Sequence, residues 1–244
     1  VGAPFTIERS AVPDESLPRL DPVCSPPGAP TAVVLVLHGG RAHSLESAER
    51  KRLTYRRMVP FARAIAKHHE LSVFMLRYRY RGWNAPARDA QRDADWALDQ
   101  LERQYPGVPV VLLGHSMGGR AAIGAAGGPN VVAVCALAPW LDGSDPVAQL
   151  AGRTVLIAHG DRERWTSPEA SYDYALRAKP VAARIARFDV RGAGHFMISR
   201  ASDWQSLVLR FVLGVTGIEP EDPDMTNAFS QPTPSGLRVE LAAH

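Results

Sequence analysis

Gly114-His-Ser-Met-Gly118 places a serine among small residues, directly after an apolar run and directly before an amphipathic one. A serine on a tight strand-to-helix turn projects its hydroxyl above a sheet, and small neighbours are needed for the packing around it. The start of the following helix favours negative charge that develops there. The five-residue pattern alone is weak, and its placement between a strand and a helix carries the weight. A serine hydroxyl is a poor nucleophile and needs a base within hydrogen-bond reach. His195 is the best base in the chain. It lies in Gly192-Ala-Gly-His195, a glycine-rich loop after a late apolar run, which lets its ring reach Ser116. A carboxylate would then orient the second ring nitrogen and stabilise the imidazolium.

The elements that must position these groups alternate in type. Ala32–Leu37 is apolar on both faces and rich in β-branched residues, as a strand buried on both sides of a parallel sheet reads. Ser72–Leu76, Val108–Leu113, Val131–Leu137, Thr154–Ala158 and Ile185–Val190 read the same way. Between them lie helical patterns. Met58, Phe61, Ala62 and Ile65 form one apolar stripe, with Pro60 marking a start or a kink. Arg88–Gln104, Met117–Ala126 and Ser202–Leu213 supply others, and Thr166-Ser-Pro-Glu169 has capping-box spacing with proline in the first turn. Such alternation predicts an α/β fold with a mostly parallel sheet covered by helices on both faces. Residues 31–214 are the expected core. Residues 1–30 are Pro-rich, with Phe5-Thr-Ile-Glu8 as the one strand-like piece. Residues 215–244 are Pro-rich and acidic and are expected to lie outside the core.

In order along the chain, these motifs resemble the α/β-hydrolase superfamily over roughly residues 31–213. His38-Gly-Gly40 follows the first strong strand, where the family places its oxyanion loop, and Arg81-Gly82 follows the next. Gly114–Gly119 resembles the nucleophile elbow, His159-Gly-Asp-Arg-Glu163 the acid loop and Gly192–His195 the histidine loop. The order serine, acid, histidine is the family's own. The whole is most similar to the small actinobacterial members without a cap domain. The resemblance implies a serine hydrolase of carboxylesterase type, working through an acyl-enzyme without a cofactor or metal. It implies backbone N–H groups of Met117 and Gly40 as the oxyanion hole, with Gly39 replacing Gly40 if the loop is shifted. The acid departs from the family pattern. The motif's fifth position is Glu163 rather than Asp; Asp161 and Asp142 are the alternatives.

From Asp142 to the next strand only a dozen loop residues remain, too few for a helical cap, so an open site is expected. Trp140 and Trp165, on loops at the carboxyl ends of strands, are candidates for an apolar substrate pocket; the alternative is that they cover the sheet edge. Trp83 and Phe196 lie on similar loops. His38 and His159 are expected as loop braces, and His115 against a neighbouring loop. The basic run Arg50-Lys-Arg52, Arg56, Arg57 and Arg63 could meet an acidic carrier protein or an anionic substrate, or be a solvated helix face. Arg77, Arg79 and Arg81 could anchor a carboxylate or pair with Asp89 and Asp93.

The bulk properties set limits. The chain has 244 residues, 45% hydrophobic and 22% charged, which fits one α/β domain and excludes disordered and fibrous classes. A net charge of +3 gives no argument for nucleic acid, and no apolar run approaches a membrane span. Two cysteines, Cys24 and Cys135, are too few for a disulfide framework. A cytoplasmic location is expected, with secretion left open. The partner expected is a small ester or acyl compound. A thioesterase or acyltransferase working on carrier-bound acyl groups would use the same three residues, and a non-catalytic binding protein is the reading from another class.

Overall fold

The computed structural model describes residues 17–242, so the Phe5–Glu8 segment lies outside the described residues. Eight strands form one sheet: β1 (Arg19–Cys24), β2 (Ala32–Leu37), β3 (Leu71–Arg77), β4 (Val110–His115), β5 (Val131–Leu137), β6 (Thr154–Gly160), β7 (Arg184–Val190) and β8 (Val239–Glu240). Their spatial order is β1-β3-β2-β4-β5-β6-β7-β8. All neighbours are parallel except β1, which runs antiparallel to β3.

The period of two in β2 sends its side chains into two separate cores. Ala32, Val34 and Val36 join helices α1 (Leu53–Ile65), α5 (Ala201–Val215) and α6 (Pro223–Ser230) on one face. Val33, Leu35 and Leu37 join α2 (Asp89–Gln104), α3 (Met117–Gly124) and α4 (Pro168–Ala178) on the other. A strand apolar on both faces is stable only in such a three-layer arrangement. Pro60 lies within α1 rather than at its start. Ser167, not Thr166, caps α4, accepting from the Ala170 N–H at 3.0 Å.

Two segments differ from expectation. β1 is an antiparallel edge strand containing Pro22, with a register shift between Pro22 and Cys24. Its sequence lacks an apolar run, because an edge strand tolerates polar residues and proline. The stretch after residue 214, expected outside the core, packs onto it. Met225, Ala228, Phe229 and Leu241 are buried in the first core, and β8 extends the sheet beside β7. Its acids serve this docking: Asp222 caps α6 and pairs with Arg210 at 2.8 Å, and Glu221 pairs with Arg184 at 2.6 Å.

Between Leu137 and Thr154 the chain forms loop and one short 3-10 turn, Ala148–Leu150. No cap covers the carboxyl ends of the strands there. Among the described residues no helix is long and apolar enough to cross a membrane.

Candidate active site

Ser116 sits between β4 and α3 with φ 57° and ψ −119°, a conformation that L-residues avoid. The surroundings force it. Ser116 donates its N–H to Leu137 at 3.0 Å, while its carbonyl accepts from Arg120 and Trp140, each at 3.1 Å. A Cβ on Gly114 would strike the backbone of Gly118, and one on Gly118 would strike the carbonyls of Leu37 and His38. The small residues seen in the sequence therefore let the turn close against the sheet. Met117 opens α3, so its N–H has no partner within the helix.

The His38-Gly-Gly40 loop lies alongside. A Cβ on Gly39 would sit 3.4 Å from the Ser116 Cβ, and Gly40 packs directly on the Met117 side chain and the Arg81 carbonyl. His38 Nδ1 donates to the Gly39 carbonyl at 2.7 Å, bracing the loop as expected. Burial is the main cause that lowers the His38 pKa to about 4, so it is neutral.

His195 is held from both sides. Its Nδ1 donates to Glu163 Oε2 at 2.8 Å, which leaves Nε2 as the basic nitrogen. Its carbonyl accepts from His115 Nε2 at 2.9 Å. His115 is wholly buried, and that burial, aided by the neighbouring His195 ring, holds its pKa down at about 3. It acts as a neutral strut between the elbow and the histidine loop.

The Glu163 side chain has no solvent exposure. Its Oε1 accepts from the N–H groups of Arg164 at 2.7 Å, Trp165 at 2.6 Å and Thr166 at 3.3 Å. Burial is the largest influence and pushes its pKa up. The bond to His195 and the backbone N–H groups together outweigh it, so Glu163 is held down at about 2. The other two carboxylates are engaged elsewhere. Asp161 accepts from the Gly192 N–H at 2.6 Å, and Asp142 pairs with Arg120 at 2.5 Å. Gly160 is needed here, since a Cβ on it would strike the Ala193 carbonyl where the two loops meet.

A buried chain of hydrogen bonds stands behind Glu163. Ser171 donates its hydroxyl to the Pro168 carbonyl at 2.8 Å and so accepts from Arg187 Nε and His159 Nδ1, both at 3.0 Å. His159 Nε2 then accepts from the Thr166 hydroxyl at 3.0 Å, and Thr166 is one of the N–H donors to Glu163. His159 is thus a brace through hydroxyls rather than through backbone. Ser171 and Thr166 were not visible as site residues in the sequence. Arg187 left a trace, as a charged residue inside the apolar run of β7.

The two candidate pocket tryptophans separate. Trp165 is 71% exposed and stacks on His195, with ring centres 6.3 Å apart. Trp140 instead packs its ring on the Arg120 guanidinium at 4.9 Å and against Trp83, the covering role that was its alternative. Arg120 is held there by Asp142 and Asp145, so the indole covers an ion-pair anchor after the central strand β5. Beyond His195 lies a groove of about 310 Å³ lined by Phe61, Phe196, Met197, Ile198 and Arg57. Of these, sequence reasoning singled out Phe196 as a loop aromatic and Arg57 as part of a basic run. Arg77, Arg79 and Arg81 pair with Asp21, Asp93 and Glu46.

The fold and this arrangement define an alpha/beta hydrolase, and the chain belongs to that family: the family's profile matches residues 33–243. Human monoglyceride lipase is 33% identical over 102 residues, a match that spans 40% of this chain and 31% of the lipase. A serine hydrolase without lid from Xanthomonas campestris superposes with a TM-score of 0.60 at 21% identity, covering 84% of this chain and 90% of its own. A thermophilic esterase from Thermogutta terrifontis superposes with a TM-score of 0.61 at 16% identity, covering 84% and 90%. At these identities the two structures speak for the fold.

Proposed function

We propose that the protein hydrolyses carboxylic esters through an acyl-enzyme formed on Ser116. His195 Nε2 takes the Ser116 proton as the hydroxyl attacks the ester carbonyl. The tetrahedral oxyanion is held by the N–H groups of Met117 and Gly40. Collapse expels the alcohol, which receives its proton from His195, and water then repeats the sequence on the acyl-enzyme. Glu163 stays ionised throughout, keeps Nδ1–H in place and stabilises the imidazolium.

The observation that carries this reading is the 2.8 Å bond from His195 Nδ1 to the buried Glu163, set beside the strained Ser116 elbow. Glu is one methylene longer than Asp. The three N–H groups on its other oxygen fix the carboxylate where that extra reach is used. The names of the similar lipase and esterase agree with ester chemistry. An exposed Trp165 at the rim leaves water free access to an acyl-enzyme, which supports hydrolysis over transfer to or from a carrier protein.

Steady-state hydrolysis of p-nitrophenyl butyrate tests the proposal. The expected result is turnover that falls at least about 10³-fold in Ser116→Ala. A wild-type rate equal to that of Ser116→Ala would reject it. An acyl thioester turned over faster than the matched oxygen ester would move the assignment to thioesterase.

A further inference from the structure

Several arginines on this side of the fold already have a carboxylate. Arg50 and Arg77 share Asp21, Arg52 and Arg81 meet Glu46, Arg79 meets Asp93, and Arg200 meets Asp203. Arg57 is different. It is half-buried on α1, and among the described residues no carboxylate pairs with it. Its guanidinium lies 4.4 Å over the Phe196 ring, and burial lowers its pKa with no carboxylate to offset the shift. A partly desolvated cation without a counter-ion costs stability, so its position calls for a reason.

The surroundings suggest one. Arg57 is the one charged residue among those described that line the groove of about 310 Å³. Apart from Gln205, the other walls are apolar: Pro60, Phe61, Phe196, Met197, Ile198 and Ala201, with Ile198 76% exposed. The groove adjoins the catalytic histidine through Phe196, whose ring centre lies 5.6 Å from that of His195. A largely apolar groove separated from the His195 ring by Phe196, and carrying a lone guanidinium, fits a chain with an anionic group on it. Inside such a groove the pair would be screened less than at an open surface.

We infer that the preferred substrates are esters bearing a carboxylate or other anionic group on an apolar chain, bound in this groove with the anion on Arg57. This rests on the hydrolase reading above and names the substrate class for it. Arg57 is a specificity residue that touches substrate away from the reacting carbonyl. The preference appears in KM more than in kcat, because the charge contact is the same in ground and transition states.

The test is a matched set of esters. One series holds p-nitrophenyl half-esters of straight-chain dicarboxylic acids with four to eight carbons, beside the neutral p-nitrophenyl alkanoates. A second series puts the carboxylate on the alcohol side, as butyrate esters of ω-hydroxy acids beside those of plain alcohols. In at least one series and at one chain length, kcat/KM for the anionic ester is expected to exceed that for its neutral match about tenfold or more. Arg57→Gln is expected to lower that ratio about tenfold, Arg57→Glu to invert it, and added salt to reduce it in the wild type. Neutral esters turned over well, with no anionic preference in either series, would overturn this inference and leave the hydrolase reading standing. An unchanged ratio in both variants would overturn it equally. No ester turned over above the Ser116→Ala control would end both.

Discussion

Glu163 and Asp21 are both buried carboxylates held by several donors, yet they are built for different ends. The Asp21 side chain is 7% exposed and meets Arg50 at 2.5 Å, Arg77 at 3.2 Å and the Tyr55 hydroxyl at 2.9 Å. Burial is the largest influence on it and raises its pKa, but these partners outweigh burial and the net shift is downward. Arg and Tyr keep their protons at any ordinary pH, so nothing at this site changes charge. It ties edge strand β1 to β3 and to the start of α1. Glu163 has three fixed backbone donors and one further partner, the Nδ1–H of the His195 imidazole. One site therefore locks structure, and the other presents a carboxylate to the group that gains and loses a proton in the proposed reaction. The character of the partners separates the two sites; the depth of burial does not.

That contrast can be broken by exchanging the charge at each site. Glu163→Gln keeps the shape, but the three backbone N–H groups hold its amide oxygen, so its NH2 faces His195 Nδ1 and disfavours the Nδ1–H tautomer. Ester turnover should fall about 10³- to 10⁴-fold with the chain still folded. Asp161→Asn, whose carboxylate braces only the Gly192 N–H, should cost no more than a few-fold in the same assay. The reverse ranking would move the catalytic acid to Asp161. Asp21→Asn should behave oppositely to Glu163→Gln. We expect a loss of about 2 kcal/mol in urea unfolding, less than for a wholly buried pair because Arg50 faces solvent, with kcat nearly unchanged. A stable Asp21→Asn protein with a collapsed kcat would erase the distinction.

A smaller effect sharpens the contrast through pH. His38, His115 and His159 are bases kept neutral, chiefly by burial, with pKa values lowered to about 4, about 3 and about 3. The unfolded chain takes up these protons near pH 6.5 and the folded chain does not. Below about pH 6.5 the unfolded state binds more protons, so stability falls as pH falls. Glu163, held at about 2, gives up its own contribution only below the ordinary carboxylate range, near pH 4.5. The thermal midpoint should therefore decline between pH 6.5 and 4.5 while Glu163 stays ionised. A flat midpoint over that window would show that the three histidines are not held neutral as described.

The three-layer core and the loops that bring Ser116, Glu163 and His195 together were legible in the sequence through burial and crowding. β2 to β7 are buried on both faces, so each reads as a mainly apolar run, broken in β7 by Arg187, and steric crowding demands glycines around Ser116 and His195. β1 was hidden because an antiparallel edge strand carries Arg19, Asp21 and Pro22 without penalty. The C-terminal segment was hidden because Met225, Phe229, Leu237 and Leu241 each enter the core singly, from among prolines and acids. The role of Trp140 stayed open between two alternatives because sequence shows that a tryptophan lies on a loop but not which face of the loop it takes. The groove beyond His195 joins α1 to the loop after β7, far apart in sequence, and no local pattern announces it.

The central claim is that Ser116 is a nucleophile activated by His195 with Glu163 behind it. Intact-protein and peptide mass spectrometry after exposure to a fluorophosphonate tests this most directly. The account predicts a single adduct on Ser116 of the folded protein, formed far more slowly in Glu163→Gln. A folded protein that stays unlabelled, or carries the adduct on another residue, would contradict it.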